Sequence, residues 1–135
     1  MRVFLDTNVL VGAFASRGLC AEFLELVLLD HDLILGRSVL REFEKALRKK
    51  VKLPAVRSAE IVDFVLSEAT QVVDKAEPAT VNVDAADALV LGEAIASRAD
   101  LFVTGDAALL RLAAVGGLKI VSPRQLWEVL RAGNG

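Results

Sequence analysis

The sequence predicts an α/β fold, with three layers in the order α/β/α around a central parallel sheet of four to five strands. The first observation is that short apolar, β-branched runs alternate with longer segments whose apolar residues have helical spacing. The second is composition, because 54% of the 135 residues are hydrophobic and 25% are charged. Such a chain can bury a core and is neither disordered nor collagen-like, and its length suits a single domain over residues 1–135.

The predicted elements follow one another in a mostly alternating order. Strands are expected where short runs of Val, Leu, Ile and Phe occur, at residues 2–5, 33–35, 71–73, 101–104 and 119–121. Helices are expected where the apolar period is longer, at residues 19–29, 38–50, 58–70, 85–98, 107–113 and 123–131. Gly116 and Gly117 indicate a turn before the last strand, and Ser122 before Pro123 is typical of a helix start.

The cysteine and histidine content excludes two kinds of site. The single cysteine, Cys20, cannot form an intramolecular disulfide, and with the single histidine, His31, it cannot complete a closed four-ligand zinc site. No apolar run is long enough to span a bilayer, and Asp6 follows only three apolar residues, so no signal peptide is expected. We therefore expect a cytoplasmic protein that does not associate with membranes.

Two acids are expected at the same edge of the sheet. Asp6 directly follows the first predicted strand, and Asp106 follows the strand at 101–104 after Gly105. Open α/β sheets bind ligands at the carboxyl ends of their strands, which is where both carboxylates should lie. Each acid taken alone is also typical of a residue that caps the following helix.

A second pair of acids lies at the start of a predicted helix. Asp84 has the position of an N-cap, and Asp87 is then the third helical residue. Capping explains Asp84 well. It explains Asp87 less well, because helical spacing places Asp87 on the same face as Val90 and Leu91, which should point to the core. A buried carboxylate is costly without a hydrogen bond, an ion pair or a metal, so Asp87 needs a partner.

The helix at 38–50 offers two further acids, Glu42 and Glu44, at opposite borders of its apolar stripe. Periodicity alone does not choose between them. Glu44 has Arg48 four residues later, in the order that favours an ion pair, whereas Glu42 has only Lys45 three residues later. A structural role therefore explains Glu42 less completely than Glu44.

Four carboxylates in one cleft would repel one another until protonation or a divalent cation relieved the repulsion. Ligation by oxygen alone suits Mg²⁺ or Mn²⁺. Ions of this kind activate water and stabilise the leaving oxygen in phosphodiester hydrolysis. The pattern of acids therefore favours a metal-dependent phosphodiesterase.

Three stretches carry a resemblance to a known family: Val-Phe-Leu-Asp-Thr-Asn-Val-Leu at 3–10, Asp-Ala-Leu at 87–89 and Phe-Val-Thr-Gly-Asp at 102–106. In this order and spacing they resemble PIN-domain proteins, in particular the VapC-like ribonuclease toxins of bacterial and archaeal toxin–antitoxin operons. The resemblance runs over nearly the whole chain. It implies a parallel sheet between helices and a metal-dependent endoribonuclease that cuts single-stranded or structured RNA.

The resemblance also assigns roles to individual residues. It implies that Mg²⁺ or Mn²⁺ is held by an acidic quartet, which is the predicted catalytic and metal-binding set: Asp6, Glu42, Asp87 and Asp106. Asp84 resembles an additional acid found in part of the family, although Ala85 stands where related proteins often have proline. Thr104 resembles the hydroxyl residue beside the last aspartate, and Asn8 resembles the residue that fixes the first loop.

The resemblance implies three partners: RNA, a cognate antitoxin and a second copy of the chain. The formal net charge of −2 does not indicate a nucleic-acid binder, so RNA requires a local basic patch. Basic residues are dense between positions 37 and 52, and Arg41, Lys45 and Lys49 are the predicted RNA contacts. A solvated helix face explains the same residues. The segment 19–29 is apolar on nearly every side, which predicts deep burial or a subunit contact.

Other functions fit the sequence less well. An acid after the first strand also begins receiver and dehalogenase-like domains, but residues 6–8 lack the second aspartate of the dehalogenase-like pattern, and Lys119 opens the last strand, whereas a receiver has its lysine after that strand. There is no glycine-rich phosphate loop, and a Ser-His-Asp triad would depend on His31 in an expected turn. The remaining alternative is a PIN-fold RNA- or protein-binding module without catalysis.

Overall fold

A six-stranded sheet forms the centre of the computed structural model, which describes residues 1–15 and 19–133. Its strands are β1 (Arg2–Leu5), β2 (Asp32–Gly36), β3 (Gln71–Val73), β4 (Leu101–Val103), β5 (Ala114–Val115) and β6 (Leu118–Val121). The flanking helices are α1 (Thr7–Ala15), α2 (Leu19–Asp30), α3 (Arg37–Lys49), α4 (Ala55–Glu68), α5 (Ala85–Ala96), α6 (Ala107–Leu110) and α7 (Pro123–Gly133). The strand order across the sheet is β3-β2-β1-β4-β6-β5.

The neighbouring strands are parallel except for β5 and β6, which form an antiparallel hairpin. β1 pairs with β2 on one side and with β4 on the other. The chain therefore leaves β1 toward one half of the sheet and reaches the other half at β4, which makes their carboxyl ends a topological switch point. Open α/β sheets bind ligands in the crevice at such a point.

The predicted α/β fold class is confirmed, and all five predicted strands are present within one residue of their expected bounds. The sixth strand, β5, is a two-residue strand that pairs with β6 across the predicted glycine turn. The six predicted helices are also present. α1 was not among them, because its nine residues carry no charge and therefore show no polar face from which to recognise a helical period.

The two strands at the switch point are buried along almost their whole length. Val3, Phe4 and Leu5 of β1 and Phe102 and Val103 of β4 have no solvent exposure. The rings of Phe4 and Phe102 stack with their centroids 5.5 Å apart. Burying a side chain of this size contributes about 1.5–3 kcal/mol to stability, so the core holds the two strand ends firmly in place.

α3 is strongly amphipathic and packs its apolar stripe inward. Val39, Leu40, Phe43 and Leu47 are buried, and the helix contacts α1, α4, α5 and β2. Its basic residues lie on the exposed side. The border residue Glu42 is thereby brought next to the first turn of α1, with which it lines a shared hollow.

The segment that is apolar on nearly every side forms α2, which packs against α1, α7 and β2. Leu24 and Val27 are buried, whereas Leu29 is 77% exposed. Burial in the core therefore accounts for the apolar residues on one side of α2 but not for Leu29, which faces solvent. No helix within residues 1–15 and 19–133 has both the length and the apolar character to cross a membrane.

Candidate active site

The carboxyl ends of β1 and β4 place two acids at one edge of the sheet, as the sequence predicts. Asp6 follows β1, and its backbone N–H donates to the carbonyl of Val103 at the end of β4 (2.9 Å). Asp106 lies three residues after β4 and begins α6. Because Leu5 pairs with Val103 in parallel register, both strands end at the same level and both carboxylates belong to the switch point.

The buried hydroxyl of Thr104 joins the two loops. Thr104 Oγ1 donates to Asp6 Oδ2 (2.7 Å) and accepts from the backbone N–H of Asp106 (3.1 Å). Asn8 makes a second connection, because its Oδ1 accepts from the N–H of Gly105 (3.0 Å) and its Nδ2 donates to Asp6 Oδ2 (3.3 Å). The two predicted supporting residues thus orient the Asp6 carboxylate and fix the loop after β4 to the start of α1.

Two of the acids also cap helices. Asp106 Oδ1 accepts from the N–H groups of Ala108 (2.8 Å) and Leu109 (3.1 Å), and Asp84 Oδ1 accepts from the N–H of Asp87 (2.8 Å). The capping interpretation is therefore confirmed for Asp106 and Asp84. Capping uses only one oxygen of Asp106, and Oδ2 accepts no hydrogen bond from the described residues.

A cavity of about 400 Å³ opens at the switch point, and four acids from four separate segments line it: Asp6, Glu42, Asp87 and Asp106. The structure therefore brings the whole predicted quartet to one place. The other residues of this lining are Thr7, Asn8, Val11, Ala46, Lys50, Ala86 and Val90. Asp84 and Thr104 lie outside it, the first at the start of α5 and the second buried against Asp6. We call this space the acidic cavity.

Packing places the two acids of α3 in different surroundings. Glu42 lines the acidic cavity, whereas Glu44 lines a different groove on the exposed side of the helix. In the part of the chain that the structure describes, Glu44 and Arg48 form no ion pair, although their spacing favours one. Glu42 lines the acidic cavity because α1 packs beside it, and the residue spacing within α3 carries no information on where α1 lies.

Burial dominates the ionisation of Asp6. It raises the pKa of the Asp6 carboxyl above its usual range, and the negative charge of Asp106 adds to this shift. The hydrogen bonds from Thr104, Thr7 and Asn8 act in the opposite direction, because they stabilise the carboxylate. Asp6 is therefore held in position by donors that only partly offset the cost of its buried charge.

Asp87 is half-buried, and the causes that shift the pKa of its carboxyl all act in the same direction. Burial raises the pKa of its carboxyl, followed by the negative charges of Asp84, Asp106 and Asp6. Among the described residues, Lys50 is the one cation in the cavity lining. The carboxylates thus face one another with little compensating positive charge, which is the electrostatic condition that a bound cation relieves.

The donor set fits a hard divalent cation. Carboxylate oxygens are the ligands that Mg²⁺ and Mn²⁺ prefer, and the described residues that line the cavity include no sulfur or imidazole. Within residues 1–15 and 19–133, no three acidic, histidine or cysteine side chains already lie close enough together to hold a metal ion. The residues that could hold such an ion are the four carboxylates of the acidic cavity, Asp6, Glu42, Asp87 and Asp106.

The sequence pattern did not single out two residues of this region. Lys50 lines the acidic cavity, and its position depends on where α3 ends relative to α1. Glu93 is buried on α5 and bonds to the start of α3. Its signal in the sequence was a lone charged residue within the otherwise apolar stretch 88–96.

The fold and the acidic cavity together define a class of protein. The sequence pattern of the PIN domain matches residues 2–108, which is well over half of the chain. The chain belongs to the PIN domain family, as its resemblance implies. A comparison with curated protein sequences finds no match.

Solved structures share the fold. A chain in the crystal structure of VapBC2 from Rickettsia felis, bound to a DNA fragment from their promoter, aligns with a TM-score of 0.67 and 20% identity, covering 90% of this chain and 98% of that chain. A chain of VapBC-1 from nontypeable Haemophilus influenzae aligns with a TM-score of 0.66 and 14% identity, covering 92% of this chain and 99% of that chain. The PIN-like architecture is therefore confirmed by structure as well as by sequence.

Proposed function

We propose that this chain is a metal-dependent endoribonuclease that hydrolyses RNA phosphodiester bonds. The observation that carries the proposal is the convergence of four carboxylates, from four segments, on one cavity at the switch point. Membership of the PIN domain family supports it, as does the fold shared with VapBC structures. The all-oxygen donor set makes Mg²⁺ or Mn²⁺ the cofactor that we propose.

Each site residue has a separate task in this proposal. Asp6, Asp87 and Asp106 would hold the ion, with Glu42 as the fourth carboxylate. When bound, such an ion supplies an activated water and neutralises charge on the phosphate under attack. Thr104 and Asn8 keep Asp6 oriented through the hydrogen bonds described above. Asp84 adds negative charge beside Asp87 and fixes the start of α5.

The substrate backbone requires positive charge near the acidic cavity, and α3 supplies it. A basic groove of about 650 Å³ lies along this helix and is lined by Arg41, Glu44, Lys45, Arg48, Lys49, Leu53 and Ala55. A hollow of about 270 Å³ connects it to the acidic cavity, because its lining includes Lys45 and Lys49 of the groove as well as Glu42 and Lys50 of the cavity. We propose that RNA phosphates follow this path and contact Arg41, Lys45 and Lys49.

Replacing Arg41, Lys45 and Lys49 together with glutamine should weaken RNA binding and flatten its salt dependence. Each single-strand phosphate contact contributes about 0.7 to the slope of log affinity against log salt, so the slope should fall by about 2. The measurement is fluorescence anisotropy of labelled RNA in EDTA, between about 50 and 200 mM salt.

A matched control for the basic groove removes the same charge elsewhere. Arg111, Lys119 and Arg124 are exposed residues near α6, β6 and α7, and their replacement with glutamine should leave the slope nearly unchanged. Equal slopes for the two triple variants would show that bulk charge, and not the groove, attracts RNA.

The biological setting that we propose is the toxin half of a toxin–antitoxin pair, with a cognate antitoxin and a homodimer as the protein partners. Two of the similar solved structures are VapBC proteins. The chain also presents large apolar side chains to solvent, with Leu29 on α2 77% exposed and Val56 on α4 72% exposed.

One observation favours the alternative function, a PIN-fold RNA- or protein-binding module without catalysis. Among the described residues, no three acids are already arranged around a metal position. A module of this kind would bind RNA, and could bind metal, without cutting. The binding module and the nuclease would therefore bind the same ligands, and only the nuclease would release cleaved RNA.

Incubation of the purified chain with a pool of single-stranded and structured RNAs tests the proposal. Cleavage is expected in Mg²⁺ or Mn²⁺, should stop with EDTA and should resume when the metal is restored in excess. Cleavage that persists in EDTA would contradict the metal-dependent mechanism. Metal binding by folded protein without any cleavage across the pool would favour the binding module.

A further inference from the structure

Glu93 is a buried carboxylate that the proposed reaction does not use. It lies in the middle of α5 with 2% of its surface exposed, and it is among the few charged or polar residues of the described chain that are buried this deeply. Burying a carboxylate is costly unless hydrogen bonds compensate for the lost water. The partners that hold Glu93 in the interior therefore indicate what the residue does.

Both oxygens of Glu93 bond to one residue at the start of α3. Oε2 accepts from the backbone N–H of Ser38 (3.2 Å), and Oε1 accepts from the Ser38 hydroxyl. The first N–H groups of a helix have no partner within the helix, and the N-cap residue of α3, Gly36, has no side chain to supply one. Glu93 thus performs from α5 the task that an N-cap side chain normally performs.

The backbone at Gly36 is shaped to admit this carboxylate. A Cβ atom at Gly36 would lie 2.3 Å from Glu93 Oε1, which is far inside contact distance. A side chain at the N-cap position is therefore incompatible with Glu93 in its observed place. Gly36, Ser38 and Glu93 form one unit. Because Gly36 has no side chain, it cannot cap α3 itself, and the same lack of a side chain leaves space for the Glu93 carboxylate to cap the helix.

This unit joins the two helices that supply acids to the acidic cavity. Glu42 lies four residues after Ser38 on α3, and Asp87 lies six residues before Glu93 on α5. Apart from the two hydrogen bonds between Glu93 and Ser38, α3 and α5 make few contacts, and α3 packs mainly on α1 and α4. A cap from the N-cap residue of α3 itself would stabilise only α3. A hydrogen bond from Glu93 on α5 also fixes where α3 lies relative to Asp87.

We propose that Glu93 is a positioning residue that fixes the spacing between Glu42 and Asp87, and so the affinity and activity of the acidic cavity. This inference rests on the proposed function, because it assigns Glu93 a role in that same site. Loss of a residue that orients metal ligands typically costs 10- to 100-fold in metal affinity or activity. Gly36, Ser38 and Glu93 are not among the described residues that line the basic groove, so RNA affinity should change little.

The test measures Mn²⁺ affinity by titration calorimetry and the kcat and KM of RNA cleavage for Glu93→Ala, Glu93→Gln and Ser38→Ala. Glutamine keeps one acceptor oxygen and a length equal to that of glutamate, and the Ser38 hydroxyl can turn to accept from its amide. Glu93→Ala should bind Mn²⁺ about 10- to 100-fold more weakly and lose kcat with little change in KM. Ser38→Ala should show a smaller loss, and Glu93→Gln should remain close to the unmodified chain.

Leu126→Ala is the matched control, because Leu126 is fully buried on α7, away from the acidic cavity. It should lower Tm as Glu93→Ala does and leave Mn²⁺ affinity unchanged. If Glu93→Ala lowers Tm but keeps normal Mn²⁺ affinity and kcat, the residue is structural only and the proposal is overturned. If Glu93→Ala does not fold, Ser38→Ala decides the question in the same way. Failure of the unmodified chain to bind Mn²⁺ would instead overturn the proposed function, and this role with it.

Discussion

Replacing Asp87 with asparagine is expected to abolish RNA cleavage while making the fold more stable. Asp87 lines the acidic cavity as one of its four carboxylates, and an amide is a poorer ligand for a divalent cation than a carboxylate. Losing a group that stabilises charge in a transition state costs on the order of 100- to 1,000-fold in kcat. We therefore expect cleavage to fall by at least about 100-fold.

The gain in stability follows from the charge that the substitution removes. Burial and the charges of Asp84, Asp106 and Asp6 raise the pKa of Asp87 in the folded chain. A carboxyl with a raised folded pKa contributes stability below its unfolded pKa of about 4, and that contribution is lost as the pH rises through the folded value. At neutral pH the ionised group therefore opposes folding, and the neutral amide does not.

The pH dependence of Tm shows whether the ionised carboxylate of Asp87 is what destabilises the fold. Without metal, the Tm of Asp87→Asn minus that of the unmodified chain should be small near pH 4 and should grow as the pH rises to 7. Adding Mn²⁺ at pH 7 should raise the Tm of the unmodified chain, because the ion binds the folded state, and should raise that of the variant much less.

Asp63→Asn is the control for this prediction, because Asp63 is an exposed acid on α4 that lies outside the acidic cavity. It should leave both cleavage and the rise in Tm with Mn²⁺ nearly unchanged. An Asp87→Asn variant that cleaves RNA at the normal rate would exclude Asp87 from the active site. A variant with lower Tm than the unmodified chain at pH 7 would show that Asp87 stabilises the fold as a carboxylate.

The sequence predicted the parts of the site that depend on position along single elements. Asp6 and Asp106 could be placed because an acid that follows a strand must lie at that strand's carboxyl end, whatever the rest of the fold does. Asp84 could be placed because capping depends on a few neighbouring residues. These are local rules, and the structure obeys them.

The rest of the site depends on packing between elements that are distant in sequence. Glu42 and Glu44 lie at opposite borders of the α3 stripe, and the position of α1 beside Glu42 is what places Glu42, and not Glu44, in the acidic cavity. Helical spacing likewise says nothing of Glu93, because its partner Ser38 lies 55 residues away on another helix. A lone acid in an apolar stretch could indicate a buried partner, but not which one.

Gly92→Ala is the prediction with the second largest expected effect. Helix propensity predicts that this substitution stabilises the fold, whereas packing between α5 and the preceding loop predicts that it destabilises it. Gly92 lies inside α5, where alanine is favoured over glycine by about 1 kcal/mol. The loop before α5 crosses this position closely, because the N–H of Ala79 donates to the carbonyl of Ala88 (2.8 Å). A Cβ at Gly92 would lie 1.9 Å from the carbonyl oxygen of Glu77 and 3.1 Å from the Cα of Pro78.

These clashes should outweigh the gain in helix propensity. Both obstructing groups are backbone, so relief requires α5 or the loop to move, and overpacking of this kind costs about 1–3 kcal/mol or more. We expect a net loss of about 2 kcal/mol in the free energy of unfolding, measured by urea denaturation. Gly117→Ala should be nearly neutral, because no atom lies within 4 Å of a Cβ there. An increase in stability for Gly92→Ala would mean that the loop yields freely. In that case the loop does not hold α5, and Asp87 depends for its position on Glu93 and the core alone.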